Sequence, residues 1–581
     1  MSDPRNARPG TGPRPAAAVG DDLLADSGAG AGFEAVLAAT ALDGIGGLLP
    51  PAELRRAAWA MLRHPKPVAR QLTHLAARLG GIGRGTKEQP GRLDRRFADP
   101  AWAENPILSR LALGYLASCD AALTLLGELD LDWRTRERLR LILDNVLAAD
   151  SPTNNPLLNP AAWKRVIDTG GISAARGLRN LAHDMRSPTK LPSTVDKSGF
   201  ILGETIAATP GKVVRVGDLF ELIEYEPLTE TVDAVPVLMI ASPVNKYYLV
   251  DLSPKTSLIR AELERGRRVF VASWVNPDER HADAGCDAYV SSIVDMLDTV
   301  TEITGSDQAH LLGLCGGGQL AVMAAAYLAA IGRQHQLATL TIGIAVIGFD
   351  PGPSTMAFLD RKTADKAIAD AAKRGFFNAS ESARSFALIR PNDGIWAGVV
   401  NNYLLGNQPP ALDLLFWAAD QTNVTARFGR DMIEVALGNQ LATPGGTTVL
   451  GVPLDLRKIT VDTYVLGGST DHISPWLDCF RTLALLGGTT TFVLARGGHA
   501  VVVARPPGSP RASYRTGDVT GTDPNEWLAT STDNTGSWWE HWNTWIGKHT
   551  PATTPAPTRI GSDAYPPVRD APGENIHRRL T

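Results

Sequence analysis

Between Pro51 and about Met185 apolar residues recur at three- and four-residue intervals, as in Ala122–Asp150 (ALTLLGELDLDWRTRERLRLILDNVLAAD). That period predicts helices. After a polar stretch near Ser187–Ser198 the pattern changes to short apolar runs alternating with helical segments. Six runs predict strands: Pro236–Ala241, Arg268–Trp274, His310–Leu314, Leu340–Ile347, Thr463–Leu466 and Thr490–Leu494. Continuous apolar runs suit strands buried on both faces, and their alternation with helices predicts a parallel α/β sheet. Between the fourth and fifth runs lies a stretch with aromatic clusters and no strand alternation, longer than a crossover helix needs. It is predicted to be a lid or cap.

The chain therefore divides into a disordered leader (1–28), a mostly helical N-terminal domain (29–198), a catalytic α/β domain (199–548, with the cap insertion at about 350–461) and a flexible tail (549–581). The leader is rich in Pro, Gly, Ala and Asp and offers too little bulky apolar surface to offset ordering entropy. Phe33–Leu49 is more apolar and suits a short helix. The Pro-, Thr- and Asp-rich tail predicts little order.

Composition narrows the function. Lys and Arg number 57 against 61 Asp and Glu, a net charge of −4, and no basic block stands out, which argues against a nucleic-acid partner. The four cysteines, Cys119, Cys286, Cys315 and Cys479, are far apart and form no C-x-x-C pair, so neither a disulfide framework nor a zinc site is expected. A reducing cytoplasm fits that usage. The first thirty residues show no export signal, and no run of about eighteen apolar residues predicts a transmembrane segment.

The most informative stretch is His310-Leu-Leu-Gly-Leu-Cys-Gly-Gly-Gly-Gln, an apolar strand, a glycine-bracketed cysteine and then an Ala-rich helix. Gly313-Leu314-Cys315-Gly316-Gly317 has the G-x-nucleophile-x-G form of a nucleophile elbow, which exposes the central side chain above a sheet. The helix that follows offers its N-terminal dipole and N–H groups to a thiolate and to an oxyanion. Downstream, one predicted strand runs into Asp471 and the next into His499. The order nucleophile, acid, base is that of the α/β hydrolases. His472 competes with His499 as base, but it directly follows the acid and would have to turn back past it, whereas the end of the last strand is where this fold places its base. The oxyanion hole needs one N–H after the nucleophile, from Gly316, and one from the loop after Pro236–Ala241. Pro243 has no N–H, and Val244 is the choice there.

A cysteine in place of serine points toward the substrate. Attack of a thiol on a thioester yields another thioester, so acyl loading is nearly balanced and the acyl energy is kept for the next acceptor. That suits an acyltransferase using acyl-CoA better than a water-using esterase.

With these features the sequence resembles the bacterial polyhydroxyalkanoate synthases, also called poly(3-hydroxyalkanoate) polymerases. Asp94-Arg-Arg-Phe-Ala-Asp-Pro-Ala-Trp102 with Asn105-Pro106, Ser151-Pro-Thr-Asn154 with Asn159-Pro160, and Gly177-Leu-Arg-Asn180 look like that family's N-terminal domain. Pro243-Val-Asn-Lys-Tyr-Tyr248, Ser273-Trp-Val-Asn-Pro-Asp278, Arg390-Pro-Asn-Asp393, Asn402-Tyr403, Asp413-Leu-Leu-Phe-Trp417, Asp471-His-Ile-Ser-Pro-Trp476, Gly498-His499 and Gly536-Ser-Trp-Trp539 look like its catalytic domain. The resemblance implies an enzyme polymerising (R)-3-hydroxyacyl-CoA into polyester with release of CoA. It implies a dimer at the surface of cytoplasmic polyester granules, holding the growing chain, with no metal or organic cofactor. It places nucleophile, acid and base on Cys315, Asp471 and His499. His472 and Trp417 are assigned to substrate binding. The tryptophans at 538, 539, 542 and 545 stand at helical spacing and are read as a helix packed on the sheet. A polyester depolymerase or an acyl-CoA thioesterase of the same fold is the alternative, which Cys315 and the cap disfavour.

Overall fold

Eleven strands form one sheet in the computed structural model, which describes residues 51–349, 357, 360–550 and 552–579. The predicted leader (1–28) and the short helix at 33–49 lie outside the described residues. In chain order the strands are β1 (Gly211–Val216), β2 (Phe220–Tyr225), β3 (Val237–Ile240), β4 (Val269–Trp274), β5 (Ala309–Leu314) and β6 (Leu337–Gly343). They continue with β7 (Thr463–Gly468), β8 (Thr490–Ala495), β9 (Ser513–Thr516), β10 (Thr532–Thr535) and β11 (Arg569–Asp570). Across the sheet they lie in the order β11-β1-β2-β4-β3-β5-β6-β7-β8-β9-β10. From β4 to β8 all neighbours are parallel, and the flanking strands are antiparallel. This is the α/β-hydrolase sheet.

The six predicted strands are β3 to β8. β6 ends earlier than predicted, because Ile344 takes φ +46° and turns the chain out of the sheet. β1 and β2 escape the pattern for a reason visible in β2: Glu221 and Glu224 interrupt its apolar run, yet both are buried. Their carboxylates are satisfied by groups far along the chain, Glu221 by Arg569 at 3.0 Å and the Asn575 N–H at 2.9 Å, Glu224 by Arg268 at 2.6 Å and the Gly561 N–H at 2.7 Å. Burial of a charge is tolerated only with such partners.

Those same bonds overturn the prediction of a flexible tail. Thr553–Pro555 pairs with Thr231–Asp233, β11 pairs with β1, and Ile576 is buried. Asn575 Nδ2 donates to Ser273 O at 3.0 Å. Composition misleads here because order comes from hydrogen bonds to buried carboxylates rather than from apolar surface.

Apolar cores lie on both faces of the sheet. One joins the helices Cys286–Thr304, Gly316–Ala330 and Ala426–Gly438. The other joins Leu258–Glu264, His499–Val503 and Trp538–Gly547. The last of these confirms the tryptophan reading: Trp538, Trp539 and Trp542 are buried, with indole N–H groups on Val502 O, Val503 O and Thr341 Oγ1.

The N-terminal segment is helical as predicted, and its motifs act as helix starts. Asn105 and Asn159 cap helices whose first residue is proline, and Asp132 caps Trp133–Ala149. Phe97 and Trp102 stack edge-to-face at 5.0 Å in a small core. The helix Pro106–Glu128 is, by length and composition, apolar enough to cross a membrane. It packs in the helical bundle, where Asp120 pairs with Arg78 at 2.9 Å.

The residues between β6 and β7 form the insertion. Part of it is fused to the catalytic core, since Phe377 and Phe428 are buried there. Another part meets the helical domain. Arg138 reaches Ala357 O at 2.8 Å and Asp360 at 2.7 Å, Arg96 donates to Asn392 Oδ1 at 2.9 Å, and Tyr403 donates to Asp184 at 2.9 Å.

Candidate active site

β5 ends at Leu314 and a helix begins at Gly316, so the chain reverses direction at Cys315. Its φ of +56° and ψ of −127° are costly for a residue with a Cβ, and such strain clusters at functional sites. The glycines make the turn possible. A Cβ on Gly313 would lie 2.5 Å from Gly317 O, and one on Gly317 would lie 2.2 Å from Ile240 O. Backbone is therefore packed directly on backbone where β3, β5 and the helix meet.

Asp471 follows β7 and His499 follows β8, adjacent parallel strands whose carboxyl ends share one edge with that of β5. Asp471 Oδ1 accepts the N–H groups of Ile473 and Ser474, both at 2.9 Å, which fixes the carboxylate. Its Oδ2 bonds His499 Nδ1 at 2.7 Å. Both residues are buried. With Nδ1 taken, contact with the Cys315 thiol falls to Nε2, which is buried and has no other partner among the described residues. Burial alone disfavours the imidazolium, but Asp471 on one side and the Cys315 sulfur on the other outweigh it, so the His499 pKa is raised well above its ordinary value. Such an imidazole holds a proton taken from the thiol. The arrangement can generate a nucleophilic sulfur in a dry site.

His472 is placed differently. Its Nδ1 is buried with no hydrogen-bond partner among the described residues, and burial, with Arg390 and His499 nearby, lowers its pKa to about 4. Arg390 itself pairs with Asp393 at 3.3 Å. A stability prediction follows from His472. In the unfolded chain a histidine titrates near 6.5, so below that pH the unfolded state binds a proton that the folded state refuses, and stability falls on acidification by up to about 1.4 kcal/mol per pH unit. His310, lowered to about 3 by burial, acts in the same sense, while Glu262, raised to about 7 by burial, opposes it. His499, already protonated in the folded state, adds no slope below pH 6.5. Urea unfolding of wild type and His472→Gln between pH 6.5 and 5.5 isolates the one residue: the variant is expected to lose less stability over that interval. Identical slopes would mean that folding does not depress this imidazole.

Gly316 is the first residue of its helix, where N–H groups have no intrahelical acceptor. Val244 is buried, and its N–H makes a long bond to Ser242 Oγ at 3.4 Å. Trp417 is buried in the apolar cluster that contains Cys315, with Nε1 donating to Lys246 O at 2.7 Å. Among the described residues no three His, Cys, Asp or Glu side chains converge where a metal would sit.

Sequence reasoning did not single out Lys246 or Asp420. Lys246 Nζ is 3.0 Å from Asp420 Oδ1, with both side chains largely buried. A lysine inside the apolar run around Tyr247 and Tyr248 was the available signal.

Comparison with known proteins adds the following. A family model described as the N-terminus of poly-beta-hydroxybutyrate polymerase (PhaC) matches residues 93–261, and one described as the alpha/beta hydrolase fold matches residues 251–506. Poly(3-hydroxyalkanoate) polymerase 1 of Ectopseudomonas oleovorans is 37% identical over 519 residues, covering 89% of this chain and 92% of that protein. Poly(3-hydroxyalkanoate) polymerase 2 of the same organism is 36% identical over 527 residues, covering 90% of this chain and 94% of that one. The poly(3-hydroxyalkanoate) polymerase subunit PhaC of Cupriavidus necator is 36% identical over 515 residues, covering 87% of each chain.

Proposed function

The chain belongs to the poly(3-hydroxyalkanoate) polymerase family and is an acyltransferase of polyester synthesis, and we propose that it polymerises (R)-3-hydroxyacyl-CoA through an acyl thioester on Cys315, releasing CoA. The observation that carries this reading is the buried line of Asp471, His499 and Cys315, with 2.7 Å between the carboxylate and the imidazole and the cysteine on a strained elbow.

In the first half-reaction the thiol proton is already held on His499 Nε2, and the Cys315 Sγ it leaves behind attacks the thioester carbonyl of the acyl-CoA. The tetrahedral oxyanion is held by the N–H groups of Gly316 and Val244. The carbon–sulfur bond to CoA breaks, the CoA sulfur takes the proton from His499, and the acyl group remains on Cys315. In the second, a 3-hydroxyl gives its proton to His499 and attacks the acyl thioester. An ester bond forms and the sulfur leaves to be reprotonated. His472, neutral at working pH, and Trp417 line the acyl side of the site. No step draws on a metal or an organic cofactor. The enzyme works as a dimer on the surface of cytoplasmic granules, where the growing chain leaves the site into polymer.

Purified protein incubated with 3-hydroxybutyryl-CoA should release CoA in step with insoluble polyester. CoA release accompanied only by free hydroxy acid would instead identify a hydrolase.

A further inference from the structure

The loop after β3 is gripped by two segments distant from it in sequence. From the insertion, Thr422 Oγ1 donates to Pro243 O at 2.9 Å and Trp417 Nε1 donates to Lys246 O at 2.7 Å. Lys246, two residues past Val244, sends its ammonium inward with only 2% of the side chain exposed. There Nζ pairs with Asp420 Oδ1 at 3.0 Å and donates to Ile576 O, in the C-terminal segment, at 2.6 Å. Asp420 Oδ2 accepts from Tyr248 at 2.9 Å, so the carboxylate binds the same loop twice.

A buried ammonium is costly unless its partners are in place, so this joint holds only while loop, insertion and C-terminal segment are seated together. Burial lowers the lysine's pKa and Asp420 opposes that, as expected of a charge kept by its partner. No step of the acyl transfer uses the ammonium. Its position beside Val244 gives it another task.

We propose that Lys246 is a positioning residue for acyl transfer, which joins Asp420 to the Ile576 carbonyl and thereby holds the Val244 N–H where the oxyanion of the tetrahedral intermediate forms. The inference rests on the reading of Val244 as an oxyanion donor. In consequence the insertion and the C-terminal segment both take part in assembling the hole.

The test uses full-length Lys246→Met, Lys246→Arg and Asp420→Asn with three readouts. CoA release from 3-hydroxybutyryl-CoA gives kcat and KM. Inhibition by 3-hydroxybutanal reports on the hole directly, because the thiol adds to the aldehyde carbon, its proton passes to the oxygen, and a tetrahedral adduct forms. Alkylation of Cys315 by iodoacetamide reports on the thiol without the hole, because sulfur displaces iodide at a saturated carbon and no oxyanion develops. Lys246→Met is expected to lower kcat about 10²-fold, the scale of losing one oxyanion donor, and to weaken the aldehyde to a similar degree. KM and alkylation should stay within about threefold of wild type, and Lys246→Arg should recover part of the loss, both departures from the roughly 10²-fold effect on kcat. Asp420→Asn, which keeps an acceptor in place, should lie between, and it carries the test if Lys246→Met does not fold. Full retention of kcat, or alkylation that falls in step with kcat, would overturn the positioning role. A wild-type enzyme indifferent to the aldehyde would instead remove the oxyanion reading itself, whatever the lysine variants do.

Discussion

Cys315→Ala is expected to release no measurable CoA and make no polymer while unfolding at close to the wild-type temperature. The elbow already holds a residue with a Cβ at φ +56°, so alanine adds no backbone strain. Only Sγ is lost, from a position 7% exposed. Without a nucleophile the acyl group has nowhere to go, and loss of a nucleophile that works as a unit with its base typically exceeds about 10⁴-fold in kcat. Cys315→Ser should also be far below wild type. A hydroxyl ionises poorly, and an oxyester discards the energy that the thioester keeps for the next transfer. The check is a continuous assay of thiol release beside a thermal melt. Substantial turnover by the alanine variant would falsify the scheme.

The second large effect separates the two histidines. His499→Gln should lower kcat by about 10²–10⁴-fold, because it removes the base that serves both half-reactions. Among the described residues Asp471 has no other imidazole on its Oδ2, and its Oδ1 is occupied by two backbone N–H groups. His472→Gln should cost much less, since that imidazole is neutral near pH 7. Steady-state kinetics of the two variants decides it, and the reverse order would move the base to His472.

The parts of this protein that were legible in its sequence are those whose determinants are local. Strands buried on both faces announce themselves as apolar runs, and β3 to β8 were found that way. The elbow was legible because close backbone packing at Gly313 and Gly317 demands glycine at fixed spacing from Cys315. Asp471 and His499 were legible because each stands just beyond the carboxyl end of a strand. What stayed hidden depends on partners distant in sequence. Glu221 and Glu224 disguise β2, since a carboxylate reads as exposed until Arg569, Arg268 and the tail are folded onto it. The tail's composition misleads for the same reason, since its order comes from the other end of those bonds. Lys246 carries no spacing signal toward Asp420 or Ile576, because its contacts cross from one loop to an insertion and to the C-terminal segment.

The most direct test of the central claim is to find the acyl group on the protein. Enzyme mixed briefly with 3-hydroxybutyryl-CoA, quenched in acid and digested, is read by mass spectrometry for all four cysteines. The account predicts a hydroxyacyl thioester on the Cys315 peptide, formed as CoA is released and absent from Cys315→Ala, with Cys119, Cys286 and Cys479 unmodified. CoA release and polymer formation with no acyl group on Cys315 at any quench time, or with the acyl group on another residue, would contradict it.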